Sequence, residues 1–172
     1  MTNERDHSKF IIQRFDIYIT GANTKGNFLL AMNTFLIGVI ITNYSKIIEL
    51  IDCCCVCKYF NIGIVLLISL CLIASFFILK AVYPFVISGN SSKEGYHSHV
   101  FFNSIAEFTD ANKFRQSFVK QTDLSIEDDM SQQAYQLASA LKSKYNDLET
   151  AMKFIYAELV LILLLLLLII IF

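Results

Sequence analysis

The sequence has little charge and few of the residues that interrupt helices. Of its 172 residues, 17% are charged and 55% are hydrophobic, with one Pro, six Gly and no Trp. A soluble domain of this size has about 25% charged and about 45–50% apolar residues. The shortage of charge is greatest at the C-terminus, where Glu158 is the sole charge in 154–172 and residues 159–172 are all Val, Leu, Ile or Phe. Such a run excludes the ordinary soluble enzymes.

Three apolar segments are predicted to cross a membrane. The last, 154–172, would rise about 28 Å as a helix, close to the ~30 Å hydrocarbon core of a bilayer. The second, 62–80, is uncharged until Lys80. The first, 28–44, is shorter, and its alternative is a buried or re-entrant helix. The sequence therefore predicts an all-α integral membrane protein with three transmembrane helices.

The distribution of Lys and Arg predicts the orientation of these spans. Four lie in the N-terminal segment 1–27 and eight between Lys80 and Lys153, whereas the connection 45–61 has two. Positive residues stay on the cytoplasmic side, so 1–27 and 81–153 are predicted to be cytoplasmic and 45–61 external. The first apolar run begins only at Phe28 and no small-residue cleavage site follows it. We therefore expect all three spans to be kept.

The region 81–153 is predicted to be helical after a loop at 88–95, because neither Gly nor Pro follows Gly95. Apolar residues recur mostly every three or four positions over 130–152, the period of one helical face. Ser125 and Asp128 resemble a capping box, so we predict a helix from Glu127 of about 46 residues and roughly 69 Å, continuous with the third span. This rod could transmit a signal, or be a packed hairpin without that role. A shorter amphipathic helix is predicted over 101–118, with a break at 110–112.

Cysteine and histidine occur, but not in a pattern that holds a metal ion. Four of the five cysteines crowd the predicted external loop at 53–57, whereas a structural zinc site needs separated pairs that close a tetrahedron. Disulfides and plain packing of small apolar residues are the alternatives there. His97 and His99 form an H-x-H, with His7 far upstream, and no acidic residue is evidently placed to complete a site.

Catalytic motifs are missing as well. Segment 20–26 (TGANTKG) superficially resembles a phosphate loop, but it lacks the G-x-x-x-x-G-K-[ST] order and no strand precedes it. No Ser/His/Asp or Cys/His arrangement stands out. We therefore predict no catalytic residue, no metal and no cofactor.

Polar residues inside the predicted spans are costly there and therefore informative. Ser and Thr often bond their own backbone, so Asn33 and Glu158 carry the most weight. The candidates for interhelical hydrogen bonds or a pore lining are Asn33, Thr34, Ser69, Ser75 and Glu158, with Cys71 beside them in the second span.

The order of four motifs resembles the Pycsar transmembrane effector family. Segment 22–30 (ANTKGNFLL) resembles the A-D-x-K-A-x-x-L-L signature of that family, and Tyr83-Pro84 and FFNSIA at 101–106 follow in its order. Segment 128–148 (DDMSQQAYQLASALKSKYNDL) is similar to the family's D-x-x-x-Q-x-x-x-L-A-x-x-x-x-x-K-Y-x-x-L helix. The resemblance covers roughly 19–172. The chain departs from it at Asn23, where the family has Asp, at Gly26, where it has Ala, and in the Cys-rich loop.

The resemblance implies a bacterial anti-phage effector. A partner cyclase senses infection and makes a cyclic nucleotide, in this family a cyclic pyrimidine mononucleotide, and the effector impairs the inner membrane and halts growth. Related membrane effectors in defence systems respond to cyclic oligonucleotides. It further implies a multi-pass protein of the bacterial inner membrane with its N-terminus in the cytoplasm. We expect a homo-oligomer, since three spans hardly enclose a pore, and no DNA or RNA polymer as partner.

A cyclic nucleotide brings a phosphate charge, a base face and sugar hydroxyls, so its site needs a cation, an aromatic or apolar slot and amides. Lys25 and Lys144 come first, because they coincide with the motifs of the resemblance. The alternative for both is a solvated charge or one that binds anionic lipid headgroups. The full candidate set is Arg14, Lys25, Arg115, Gln133, Tyr135, Lys144 and Tyr145.

Two other functions compete with that of an effector. A structural or adaptor protein would use the long last helix to hold a cytoplasmic partner at the membrane. It would co-purify with that partner and leave the membrane potential unchanged. A small membrane enzyme would need a polar cluster at the membrane interface, which the sequence does not reveal.

Overall fold

The computed structural model describes residues 2–49, 51, 54–84 and 98–171, and in that part of the chain the secondary structure is helical without strands. Three helices are long and apolar enough to cross a membrane. The prediction of an all-α membrane protein with three spans is therefore confirmed. The helices are α1 (Thr2–Glu49), α2 (Cys54–Val82), α3 (Phe102–Ala106), α4 (Ala111–Val119) and α5 (Asp123–Ile171).

Helix α5 runs without interruption from the polar region into the third span, as the sequence predicted, but it begins four residues earlier. The proposed capping box at Ser125 and Asp128 is wrong. Thr122 is the cap instead: its hydroxyl oxygen accepts from the Ser125 backbone N–H at 3.2 Å, and the Ser125 hydroxyl oxygen accepts from the Thr122 N–H at 2.9 Å. This reciprocal pair satisfies two backbone donors at the helix start.

The predicted amphipathic helix over 101–118 is two helices, α3 and α4, which are separated by residues 107–110. Asp110 caps the start of α4: its backbone is extended, and its side chain accepts from the Lys113 N–H at 2.8 Å. A carboxylate that caps a new helix in this way stops the old one from continuing. A break is present, as predicted, but it lies at 107–110 instead of 110–112, because Ala111 and Asn112 already belong to α4.

The connection between the first two spans is shorter than the stretch 45–61. Helix α1 continues to Glu49 and α2 begins at Cys54, so most of that stretch is helical. Cys53, His97 and the predicted loop at 88–95 lie outside the described residues. Pro84 follows the end of α2, as expected for a residue that cannot continue a helix.

The chain divides into two compact units. A polar unit comprises Met1–Gly21 and Pro84–Ser143, and a membrane unit comprises Ala22–Tyr83 and Lys144–Phe172. The membrane unit contains the apolar parts of α1, α2 and α5.

Helix α2 packs in the membrane unit through one regular stripe. Its buried positions alternate in steps of four and three, the spacing that faces a partner in left-handed helix bundles. These positions are Phe60, Ile64, Leu67, Cys71, Ala74, Ile78 and Ala81. Phe60 shares a cluster with Ile40 and Leu165, whereas Ala81 shares one with Ala22 and Leu148. Helices α1 and α5 are therefore parallel to each other and antiparallel to α2.

Small residues line the Ala81 end of this stripe and bring the helices close together. A Cβ placed on Gly26 would lie 2.6 Å from Val82 Cγ2 and 3.6 Å from Leu148 Cδ2. Interfaces of small residues are typical of membrane helices because they increase van der Waals contact between backbones.

We expect Gly26→Ala to destabilise the protein, although Ala favours helices. The new methyl group meets Val82, whose β-branched side chain is stiff, and overpacking costs about 1–3 kcal/mol against a helix gain of about 1 kcal/mol. Thermal unfolding followed by the circular dichroism of the helices measures the change. Gly38→Ala, where nothing lies within 4 Å, is the matched control and should not destabilise the protein. Adding Val82→Ala to Gly26→Ala should recover stability, and a neutral Gly26→Ala would contradict this packing.

Candidate functional site

A buried lysine closes one end of the membrane unit. Lys144 of α5 is 6% exposed, and its Nζ donates to the Ala81 carbonyl oxygen at 2.6 Å, the Tyr83 carbonyl oxygen at 2.9 Å and Asn23 Oδ1 at 3.1 Å. An ammonium group has three donors, and all three have acceptors here. We call these four residues the lysine junction, which links all three helices of the unit.

The location of the junction follows from the end of α2. The last carbonyl groups of a helix lack intrahelical partners and carry its partial negative charge. A cation at this end therefore donates hydrogen bonds to the carbonyl groups and also offsets the partial charge. Burial lowers the pKa of the Lys144 ammonium, since its acceptors are neutral and replace only part of its hydration. One turn further along α5, Asp147 pairs with Lys80 of α2 at 2.9 Å. Lys80 is 57% exposed, so this pair stabilises the end of the unit only weakly.

The two main motifs of the resemblance meet at this junction. Asn23 and Gly26 belong to the motif before the first span, and Lys144 and Leu148 belong to the motif in α5. Lys144 contacts Asn23 although 121 positions separate them, and Gly26 faces Leu148. The resemblance is therefore carried by residues in mutual contact.

Lys25, the other first choice from the sequence, lies away from the junction. Side chains two positions apart on a helix point in directions about 200° apart. Asn23 and Gly26 face inward, so Lys25 points outward and is exposed. Tyr145 of the membrane unit is also exposed. Among the seven predicted ligand residues, Lys144 is thus the one that the structure places in the junction.

The other four predicted ligand residues belong to the polar unit. The Arg14 guanidinium donates to the Tyr18 hydroxyl at 2.7 Å and lies 5.6 Å from the ring centroid of Phe10, both on its own helix. Gln133 is buried, whereas Arg115 and Tyr135 are exposed. No hydrogen bond within the described part of the chain joins two of these four residues.

Gln133 belongs to a buried polar network that the sequence did not reveal. Asp129 is 1% exposed and its two carboxylate oxygens accept from the Ser98 hydroxyl at 2.8 and 3.0 Å. One of them also accepts from the His99 N–H at 2.8 Å, and Gln133 Nε2 donates to the Ser98 hydroxyl at 3.4 Å. In the sequence, the i, i+4 spacing of Asp129 and Gln133 could have indicated that both lie on one helical face. A search for periodic apolar residues does not select such polar residues.

His99 joins this network to a cluster of phenylalanines. Its Nε2 lies 2.9 Å from the Ser117 hydroxyl, and its ring lies about 6 Å from the rings of Phe108, Phe114 and Phe118. Phe108 and Phe114 are half-buried and Phe118 is exposed, so this cluster is only partly shielded from its surroundings. No group of three metal-ligating side chains occurs among the described residues.

The polar candidates in the spans separate into two classes. Thr34 and Ser69 are exposed and donate to the carbonyl oxygens one turn earlier, Leu30 and Val65, each at 2.8 Å. Asn33 and Glu158 are buried in the membrane unit, and Ser75 accepts from Asn33 Nδ2 at 3.2 Å. The interhelical contacts therefore come from Asn33 and Ser75, beside the buried Glu158.

Comparison with known proteins identifies the family of the chain. A family model described as the Pycsar effector protein domain matches residues 7–171, which include both units and all three spans. No curated protein and no solved structure was found to match the chain. With its three membrane-spanning helices, the chain therefore belongs to the Pycsar effector family and is a membrane effector of anti-phage defence.

Proposed function

We propose that this protein senses a cyclic nucleotide, in the first place a cyclic pyrimidine mononucleotide made by a partner cyclase, and then impairs the bacterial inner membrane. Its N-terminus and polar unit are on the cytoplasmic side, where such a ligand is produced. The effect on the cell is growth arrest, which ends the infection. The observation that carries the proposal is the lysine junction, at which the two family motifs meet.

The chemistry of the junction suits control by a phosphate. Lys144 donates to two backbone carbonyl groups and one amide, all neutral. A phosphate oxygen carries charge and accepts roughly twice as strongly as a neutral group. A cyclic nucleotide that reaches Lys144 therefore competes with the end of α2 for its ammonium.

Loss of these bonds loosens the membrane unit where its helices approach most closely. The last carbonyl groups of α2 lose their donor, and Asn23 of α1 loses its link to α5. Several copies of the chain, with three spans each, then rearrange in the bilayer and collapse the membrane potential. Lys25 and Arg115, which are exposed, supply positive charge to the anionic headgroups or to the ligand.

Binding to the purified full-length protein in lipid nanodiscs tests the sensing step. Isothermal titration with cyclic CMP and cyclic UMP should show saturable binding, whereas linear 5′-monophosphates and a cyclic dinucleotide should bind weakly. Lys144→Met should weaken binding roughly 10- to 100-fold, the equivalent of one charge-assisted hydrogen bond. Lys142→Met, an exposed lysine on the same helix, is the control and should bind like the unchanged protein.

The membrane step is tested in cells that express the protein with and without an active cyclase. A voltage-sensitive dye should report loss of membrane potential only when both are present. Equal responses to all cyclic nucleotides, or no binding at all, would refute the sensing proposal. A stable co-purifying protein together with an unchanged membrane potential would favour the adaptor function instead.

A further inference from the structure

Polar groups from all three helices surround Cys71 in the interior of the membrane unit. Asn33 of α1 donates from Nδ2 to the Cys71 carbonyl oxygen at 2.8 Å and to the Ser75 hydroxyl at 3.2 Å. The Glu158 carboxyl group of α5 lies beside the Cys71 thiol. Asn33 and Glu158 are 1% and 2% exposed, so their polar ends lie within the helix bundle.

Two oxygen atoms in this cluster accept no hydrogen bond from the described residues. They are Asn33 Oδ1 and Glu158 Oε1, and both are fully buried. An amide oxygen and a carboxylate oxygen are acceptors only, so the site has more acceptors than donors. Buried polar groups are nearly always satisfied, which indicates that this site takes up something that donates or carries positive charge.

Three lysines of the membrane unit are engaged elsewhere and do not supply that charge. Lys144 is bound to the end of α2 and Lys80 to Asp147, while Lys153 pairs with the exposed Glu149. Cys71 is the titratable group that faces Glu158 from α2, and Asn33 is the polar group that α1 places against Cys71. An ionised carboxylate without a cation in a hydrocarbon environment is very costly.

We propose that Glu158, with Asn33 and Cys71, forms a proton-binding site in the core of the membrane unit. A proton bound to Glu158 removes the charge and turns one acceptor into an O–H donor, which reduces the excess of acceptors in the cluster. The step is a simple exchange, in which the carboxylate takes up a proton to form a carboxylic acid and returns it on deprotonation. A group of this kind within a span can take part in passing protons across the membrane.

The proton site also determines which ion leaks when the effector is active, an inference that rests on the proposed function. The current is carried by protons through Glu158. It is not a current of mixed ions through an open pore.

Infrared spectroscopy of the protein in nanodiscs tests proton binding without any ligand. At neutral pH the unchanged protein should show the carbonyl stretch of a protonated carboxyl group, shifted in D2O. Glu158→Gln, which keeps size and hydrogen bonding, should lack this band. Glu149→Gln, an exposed glutamate on the same helix, should retain it. A spectrum without the band, or a band that survives in Glu158→Gln, would overturn the proposal, as would thermal stability that depends on Na+ instead of pH.

Proteoliposomes loaded with a pH-sensitive dye test the leak. After addition of cyclic CMP or cyclic UMP, the unchanged protein should dissipate a pH gradient, and Glu158→Gln should do so at least tenfold more slowly, with Glu149→Gln unchanged. Equal proton flux in Glu158→Gln would disprove the proton route. If the unchanged protein passes no ion with either ligand, the proposed function fails, while the infrared spectra still decide on proton binding.

Discussion

We expect Lys144→Met to lower the free energy of unfolding by about 3 kcal/mol. The substitution removes three donors at once. It leaves the Ala81 and Tyr83 carbonyl groups and the Asn23 amide oxygen in a buried site without the ammonium they shared. An unsatisfied buried acceptor costs about 1–3 kcal/mol, and Met keeps the apolar volume but not the bonds.

The measurement is thermal unfolding of the protein in nanodiscs, followed by the circular dichroism of its helices. A loss of about 3 kcal/mol corresponds to a melting temperature lower by about 6–12 °C for a chain of this length. Under the proposed function the variant should also depolarise cells that lack the cyclase, because the end of the membrane unit is already released. Hydrogen exchange should increase at the C-terminal end of α2 and less in the middle of that helix.

Lys142→Met provides the matched comparison. It removes the same charge from the same helix two positions earlier, but the side chain is exposed, so the change should stay within about 0.5 kcal/mol. Similar melting temperatures for the two variants would mean that the junction does not hold the helices together.

Replacing Asp129 with Ala is expected to destabilise the polar unit by about 3 kcal/mol. The carboxylate accepts from the Ser98 hydroxyl and the His99 N–H, and hydrogen bonds to a charged group are worth about 1.5–3 kcal/mol each. Part of the resulting destabilisation is offset, because the variant no longer buries a charge. The Ser98 oxygen also accepts from the N–H groups of Val100 and Phe101, so the turn before α3 should lose its order.

Hydrogen exchange measured by mass spectrometry locates this effect. Protection should fall in peptides that contain 98–101 and in the first turns of α5, along with the melting temperature. Asp128→Ala is the control, because Asp128 is exposed and accepts only from Gln132 one turn away in the described part of the chain. Unchanged exchange around Ser98 in the Asp129 variant would contradict a role for the carboxylate in that turn.

Much of the fold was predictable because hydropathy acts locally. Residues 62–80 and 154–172 are long enough and apolar enough to identify spans, since a helix satisfies its own backbone hydrogen bonds inside a bilayer. The long α5 was predictable because no Gly or Pro interrupts it. Its start was placed four residues late, since Thr122 and Ser125 resemble other polar loop residues until their hydroxyl groups are seen to pair.

The functional residues of α5 were harder to predict, because its most buried positions are partly polar. The periodic apolar residues over 130–152 lie on a helical face next to the most buried one, and most of them are only half buried. The buried stripe instead includes Asp129, Gln133, Ala140, Lys144, Asp147, Ala151, Ile155 and Glu158, five of which are polar or charged. A pattern of hydrophobicity does not detect a buried stripe in which polar residues alternate with apolar ones.

The sequence by itself determined the membrane character, the three spans and the family, because these depend on apolar run length and on the order of motifs along the chain. The tertiary structure decided which of two equally plausible lysines is engaged: Lys144 is bound at the end of α2, while Lys25 faces outward. It also brought Asn33 of α1 and Glu158 of α5 to Cys71 of α2 within one core. The physical reason is that a charge in a low-dielectric interior depends on partners far away in sequence, and only packing brings those partners together.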